Sequence, residues 1–196
     1  MEFNDIQNLQ GKWKAGWALD LHTISSTPVD DNHFDTVRTE IGELLYQLKY
    51  CKDVSKMQLL ADIVVDFLKT RLVTPYLSAI IPIPPSDTTR TFQPVYEIAK
   101  VVGEKLKLKV DYDYLLKIRP TSQLKSIDDP EERRKILADV FQVKDPRRRY
   151  AGKKVLLFDD LYRSGETMNV ATQVLTDSGH VNNVYVLAIT KTRSKK

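Results

Sequence analysis

One window of 13 residues, Val155 to Thr167, constrains this chain more tightly than any other part of it. Four apolar residues, Val155-Leu156-Leu157-Phe158, run into two adjacent carboxylates, Asp159-Asp160. A short apolar run of this kind predicts a buried strand, and acids at its carboxyl end stand where open α/β sheets bind their ligands. Next comes Arg163-Ser164-Gly165-Glu166-Thr167, with one of only seven glycines in the chain between two hydroxyls, directly before a helical pattern. A loop built this way turns backbone N–H groups toward one point, adds the positive end of a helix dipole and lets Ser164 and Thr167 donate two more hydrogen bonds. Such a cradle suits a phosphate monoester. The neighbouring carboxylates would repel that phosphate, so Asp159 and Asp160 are expected to accept hydrogen bonds from sugar hydroxyls or to hold a hydrated divalent cation. A diol beside a phosphate describes a sugar phosphate.

The remaining pattern frames this window. Trp13 to Ile24 alternates loosely and is rich in aromatic and β-branched residues, which predicts one or two strands. Apolar residues Phe34, Val37, Ile41, Leu44, Leu45 and Leu48 recur at three and four, predicting a helix from about 34 to 50 with Asp31, Asn32 or Asp35 as its cap. A second helix is expected at about 56–69, with Leu60, Ile63, Val64, Phe67 and Leu68 as its buried stripe. Ala79-Ile80-Ile81-Pro82-Ile83, cut off by Pro84-Pro85, reads as a buried strand because Pro82 disfavours a helix. Then a helix over about 91–105, a strand around 107–110 and a long polar stretch from 117 to 154 are expected, the last with a short helix at 131–138. The window itself continues into a helix at 166–178, capped by Gly179, and a strand at 184–189. Strand, helix and strand at that separation form a βαβ unit, so a parallel sheet covered by helices is the expected architecture.

Apolar strand, Asp-Asp, a short spacer and Ser/Thr-Gly-x-Thr resembles the 5-phosphoribosyl diphosphate (PRPP) motif of type I phosphoribosyltransferases. More of the chain resembles one branch, the ComF/GntX-like proteins related to amidophosphoribosyltransferase. Leu45-Tyr46-Gln47-Leu48-Lys49-Tyr50 is similar to their Leu-Lys-Tyr helix end, and Ile81-Pro82-Ile83-Pro84 to their Pro-x-Pro strand end. The stretch Ile118-Arg119-Pro120-Thr121-Ser122-Gln123-Leu124, with Glu132-Arg133-Arg134, resembles their Arg-x-Thr-x-x-Gln and Glu-Arg segment. The resemblance implies a parallel sheet flanked by helices with a small N-terminal β/helical hood, residues 1–75 forming the hood region and 76–196 the PRPP-binding core. It implies that Asp159 and Asp160 contact the ribose diol and that Arg163, Ser164, Gly165, Glu166 and Thr167 wrap the 5-phosphate. It also implies that Pro84, Pro85, Ser86 and Arg90 face the diphosphate, with Arg119, Gln123 and Lys125 on or near a loop that closes over the site. Mg²⁺ would enter mainly with PRPP, reached by Asp159 and Asp160 through water. The N-terminal zinc ribbon common in that branch needs four cysteines, and Cys51 stands alone. After the Pro-x-Pro strand the chain keeps Arg90, Phe92 and Gln93 but lacks the glycine and most of the basic charge of the branch.

The reaction implied is transfer of phosphoribosyl to a nitrogen nucleophile with release of diphosphate. The alternative is a non-catalytic protein that binds PRPP or another ribose-5-phosphate nucleotide and assists DNA uptake or processing. Single-stranded DNA would then meet residues 144–154 and the C-terminal tail, which together hold ten of the 30 basic residues and one of the 26 acids. The rest of the 196 residues is acidic on balance, so the net charge of +4 is local to those two segments. Nucleoside triphosphates and NAD are poor ligands here, since neither Gly-x-x-x-x-Gly-Lys-Ser/Thr nor Gly-x-Gly-x-x-Gly occurs. A receiver domain also ends a strand in paired acids, but its pair opens the domain, whereas only 36 residues follow Asp160. His22, His33 and His180 lack metal-ligand spacing. Phe92, Tyr96, Tyr112 and Tyr114 could stack a base, with the core as their expected place. No apolar run approaches the roughly 20 residues of a membrane span, and the N-terminus lacks a signal-peptide pattern, so a cytoplasmic protein is expected. A homodimer is left open by the sequence.

Overall fold

A computed structural model of the protein describes residues 5–30, 34–87, 91–119, 140–144 and 148–193. Its centre is a five-stranded sheet of β1 (Gln7–Asn8), β2 (Ala15–Leu21), β5 (Ala79–Pro82), β8 (Lys154–Tyr162) and β9 (Asn183–Lys191). The spatial order is β1-β2-β9-β8-β5, parallel except for the short β1. A two-stranded ribbon, β3 (Thr23–Pro28) with β4 (Phe34–Arg38), follows β2. Another pairs β6 (Leu115–Lys117), at the start of the polar stretch, with β7 (Phe141–Val143) inside it, where no strand was expected. These strands are three residues each, too short for an alternating pattern to register.

Helices cover both faces. On one side lie α1 (Glu40–Tyr50), α2 (Ser55–Lys69) and α3 (Pro94–Leu106), packed on Leu156, Phe158, Leu187 and Ile189. On the other, α4 (Glu166–Asp177) packs Met168, Ala171 and Leu175 on Val155, Leu157, Val184 and Val186. Alternate residues of β8 therefore serve opposite layers, the period-two rule of a strand buried on both faces. The predicted α2 stripe, Leu60, Ile63, Val64, Phe67 and Leu68, is buried as expected. Removing one such side chain, as in Leu60→Ala, costs about 2–5 kcal/mol in a core of this kind.

Element boundaries depart from the sequence reading at several points: β8 runs on to Tyr162, past the expected end at Phe158, and the last helix is capped by Ser178 rather than Gly179. The helix expected from 34 begins only at Glu40, because residues 34–38 pair with β3 and leave Phe34 and Val37 exposed. Its cap is Thr39, whose Oγ1 accepts from the Gly42 N–H at 3.0 Å and donates to the Leu21 carbonyl at 2.6 Å. The strand expected at 107–110 reduces to a single bridge between Val110 and Ile80. The helix expected from 91 starts at Pro94, whose fixed φ and missing N–H suit a first helical position. The short helix expected at 131–138 lies outside the described residues.

Candidate functional site

The site exists because two neighbouring strands end at different heights. β8 pairs with β5 only as far as Pro82↔Phe158, but continues along β9 to Tyr162↔Lys191. Beyond Pro82 the Ile83 N–H still reaches the Phe158 carbonyl at 2.8 Å, and then Pro84 and Pro85, which have no N–H, carry the chain away. Asp159 and Asp160 thus lie inside the last turn of sheet pairing rather than after it, along a flank that β5 has left open. A cavity of about 280 Å³ opens there. This is the crevice at the carboxyl ends of parallel strands that α/β folds use for ligands.

The alternation of β8 separates the two acids. Asp160 continues the series of Leu156 and Phe158 toward α1, and its carboxylate meets Lys49 Nζ at 2.7 Å. It is 8% exposed, and its carbonyl accepts from Thr190 Oγ1 at 3.4 Å, with His22 Nδ1 3.1 Å from that hydroxyl. Burial, reinforced by the charges of Arg38 and Lys49, lowers the proton affinity of His22. Asp159 continues the series of Leu157 toward the other face, and its Oδ1 accepts from the Asp160 N–H at 2.8 Å. Burial first and the Asp160 charge second push the Asp159 carboxyl up to about 8, against the pull of Lys49 and Lys117. The pair therefore sets an ion-paired Asp160 beside an Asp159 whose proton affinity is raised by burial and by its neighbour's charge.

Tyr162 ends β8, and the turn at 163–165 follows. Gly165 adopts φ +80° as the cap of α4, a left-handed conformation that only glycine takes without strain. The turn is also sterically closed, since a Cβ at Gly165 would come within 2.7 Å of Tyr162 Cζ. Ser164 Oγ lies 3.5 Å from the Glu166 N–H, and the first-turn N–H groups of α4 have no acceptor within the helix itself. Arg163 and Ser164 are exposed. Of the residues implicated by sequence, Asp159, Asp160, Thr167, Pro84, Pro85 and Ser86 line the cavity together. Arg163 to Glu166 sit beside it on the turn, and Arg119 is exposed at the end of a described segment. Arg90, Gln123 and Lys125 lie outside the described residues.

Both cavity lysines escaped the sequence reading as site groups. Lys49 arrives from the end of α1 and Lys117 from β6, where its Nζ donates to Ser86 Oγ at 2.7 Å. Burial lowers the proton affinity of Lys117, partly offset by the Asp159 charge. Neither lies near the motif in sequence, so spacing offered no signal; the Leu-Lys-Tyr resemblance alone marked Lys49. Two lysines stand against three cavity carboxyls, Asp87, Asp159 and Asp160. That balance does not by itself neutralise a polyphosphate. Among the described residues no group of three or more His, Cys, Asp and Glu could enclose a metal ion. The donor set fits a Mg²⁺ that keeps its own waters and takes phosphate oxygens, touched by one or two carboxylates, which is its ordinary habit at phosphate sites.

The basic stretch 144–154 is partly committed elsewhere. Arg149 Nη1 donates to Asp111 at 3.0 Å, and Tyr150 Oη donates to the same buried carboxylate at 2.7 Å. Lys154 lies over the Tyr76 ring, 5.0 Å from its centroid. Among the described residues no helix is long and apolar enough to cross a membrane.

No protein-family model matches the chain, and no curated protein matches it by sequence. Solved structures do. Adenine phosphoribosyltransferase of Trypanosoma brucei, in complex with AMP, pyrophosphate and ribose-5-phosphate, matches at 13% identity over 87% of this chain and 76% of its own, with a TM-score of 0.51. Adenine phosphoribosyltransferase of Leishmania tarentolae matches at 12% identity over 85% of this chain and 94% of its own, with a TM-score of 0.41. A hypoxanthine phosphoribosyltransferase of Staphylococcus aureus matches at 16% identity over 69% and 62%, also at 0.41. The chain has a phosphoribosyltransferase-like α/β fold, a mostly parallel sheet with helices on both faces.

Proposed function

We propose that this chain is a cytoplasmic phosphoribosyltransferase that binds PRPP and transfers its phosphoribosyl group to a nitrogen nucleophile. One observation carries the reading: the acidic pair Asp159-Asp160 and Thr167, in the first turn of the helix that the left-handed Gly165 caps, line one crevice at the point where β5 leaves β8. In this reading the 5-phosphate sits on residues 163–167, held by backbone N–H groups, the Ser164 and Thr167 hydroxyls and the α4 dipole. The ribose diol faces Asp159 and Asp160, and the diphosphate faces Pro84, Pro85 and Ser86. Mg²⁺, bound through ligand oxygens and reached by Asp159 through water, would supply charge for the departing diphosphate. The chain's own contribution is to fix both ends of the sugar, so that the bond to the leaving group is held in one orientation while fixed dipoles stabilise developing charge. No side chain has to act as a covalent nucleophile.

The test is calorimetric titration with PRPP and Mg²⁺, followed by assay of diphosphate release across a panel of nitrogen bases and amines. Saturable binding with release for one acceptor class is the expected result. Tight binding without release for any acceptor would transfer support to the accessory role of the ComF-like branch, and no binding would remove both. The sparse charge of residues 84–87, which include Asp87 and no cation, is the one observation on the side of the accessory reading.

A further inference from the structure

The loop at 84–87 faces the cavity with two prolines, a serine and an aspartate. A diphosphate placed against it would meet no positive charge from the loop itself. The two lysines of the cavity approach from elsewhere, and from opposite layers. Lys49 stands on α1 above one face of the sheet, its ammonium 2.7 Å from Asp160 Oδ2 and its side chain 20% exposed. Lys117 stands on β6, its ammonium 2.7 Å from Ser86 Oγ, next to the proline pair. Together they straddle the open end of β8, where Asp160 points one way and Asp159 the other.

We propose that Lys49 and Lys117 are the diphosphate-holding residues of this site, supplying from two layers of the fold the charge that residues 84–87 lack. The inference rests on the phosphoribosyl reading and deepens it. An ammonium has three N–H donors, so Lys49 can keep Asp160 and still reach an anion. Lys117 already touches the loop that would present the diphosphate. Its half-buried position penalises its charge, and a diphosphate bound there would offset that penalty. This arrangement also explains why the chain keeps a proline-ended β5 with only Arg90 of the basic residues expected after it: the prolines open the crevice, and Lys49 and Lys117 supply charge from outside residues 84–87.

Inorganic diphosphate and ribose 5-phosphate, each with Mg²⁺, are the two probes, titrated calorimetrically into the full chain at constant salt. Lys117→Met and Lys49→Met are each expected to weaken diphosphate binding about tenfold or more, as loss of a charge-assisted contact does. Lys117→Met should leave ribose 5-phosphate within about threefold of wild type, and Lys117→Arg and Lys49→Arg should regain most of the diphosphate affinity, because the charge is kept. Unchanged diphosphate affinity in both methionine variants overturns the proposal. So does an equal loss of both probes that arginine fails to rescue, which is the mark of a structural role. Wild type that binds ribose 5-phosphate but not diphosphate overturns this inference alone, whereas wild type that binds neither removes the phosphoribosyl reading with it.

Discussion

Gly165→Ala separates the demands of the proposed phosphate loop from those of ordinary folding. At φ +80° an alanine costs about 1–2 kcal/mol for the left-handed conformation alone. Its Cβ would also press on the Tyr162 ring, within 2.7 Å of Cζ, and that ring is 9% exposed and packed edge-on to Trp13 at 6.3 Å. Displacing a packed side chain adds about 1–3 kcal/mol. The total of roughly 2–5 kcal/mol corresponds to a fall of about 5–15 °C in melting temperature for a chain of this size. Gly152→Ala is the control. Gly152 also has a positive φ, +69°, but a Cβ there meets nothing within 4 Å, so only the conformational cost of about 1–2 kcal/mol applies. Urea denaturation of both variants gives the energies, and ribose 5-phosphate titration at a temperature where both are folded gives the site. The two alanines should differ by about 1–3 kcal/mol, and only Gly165→Ala should lose the phosphate. Equal destabilisation, or an intact phosphate affinity in Gly165→Ala, would refute the reasoning.

Two further perturbations address titrating groups. Because burial and the Asp160 charge raise Asp159 to about 8, the folded state keeps a proton that the unfolded chain gives up near pH 4, so stability falls as pH rises from about 4 toward 8. Asp159→Asn should remove that slope and gain on the order of 2–3 kcal/mol at neutral pH, and parallel wild-type and variant stability curves between pH 4 and 8 would contradict it. For Asp111, burial raises proton affinity, but the hydrogen bond shared with Asp113, those from Tyr150 and Lys109, and the Arg149 charge prevail and hold it at about 2. Its stabilisation is complete above pH 4 and disappears as pH falls through 2, and Asp111→Ala should cost about 2–4 kcal/mol at neutral pH with that acid-side loss flattened.

What was legible in the sequence followed from local pattern. The run 155–158 could only be a buried strand, and Gly165 between hydroxyls before a helical period could only be a tight turn, so the site's two central pieces were readable. The false start of α1 shows the limit. Phe34 and Val37 fit a helical period, but their segment pairs with β3, a tertiary choice that periodicity does not encode. The β6–β7 ribbon escaped notice because each strand has three residues. Lys49 and Lys117 escaped as site groups because their place depends on how layers stack on either face of β8. The separation of Asp159 from Asp160 follows from period two, yet their different partners appear only once α1 and β6 are in position.

The most direct test of the central claim is a structure of the chain with ribose 5-phosphate and Mg²⁺. The phosphate is expected within hydrogen-bonding distance of the backbone N–H groups of residues 164–167, with the ribose hydroxyls turned to Asp159 and Asp160. A phosphate bound against residues 84–86 with the 163–167 turn empty, or a sugar that leaves the acidic pair untouched, would contradict it.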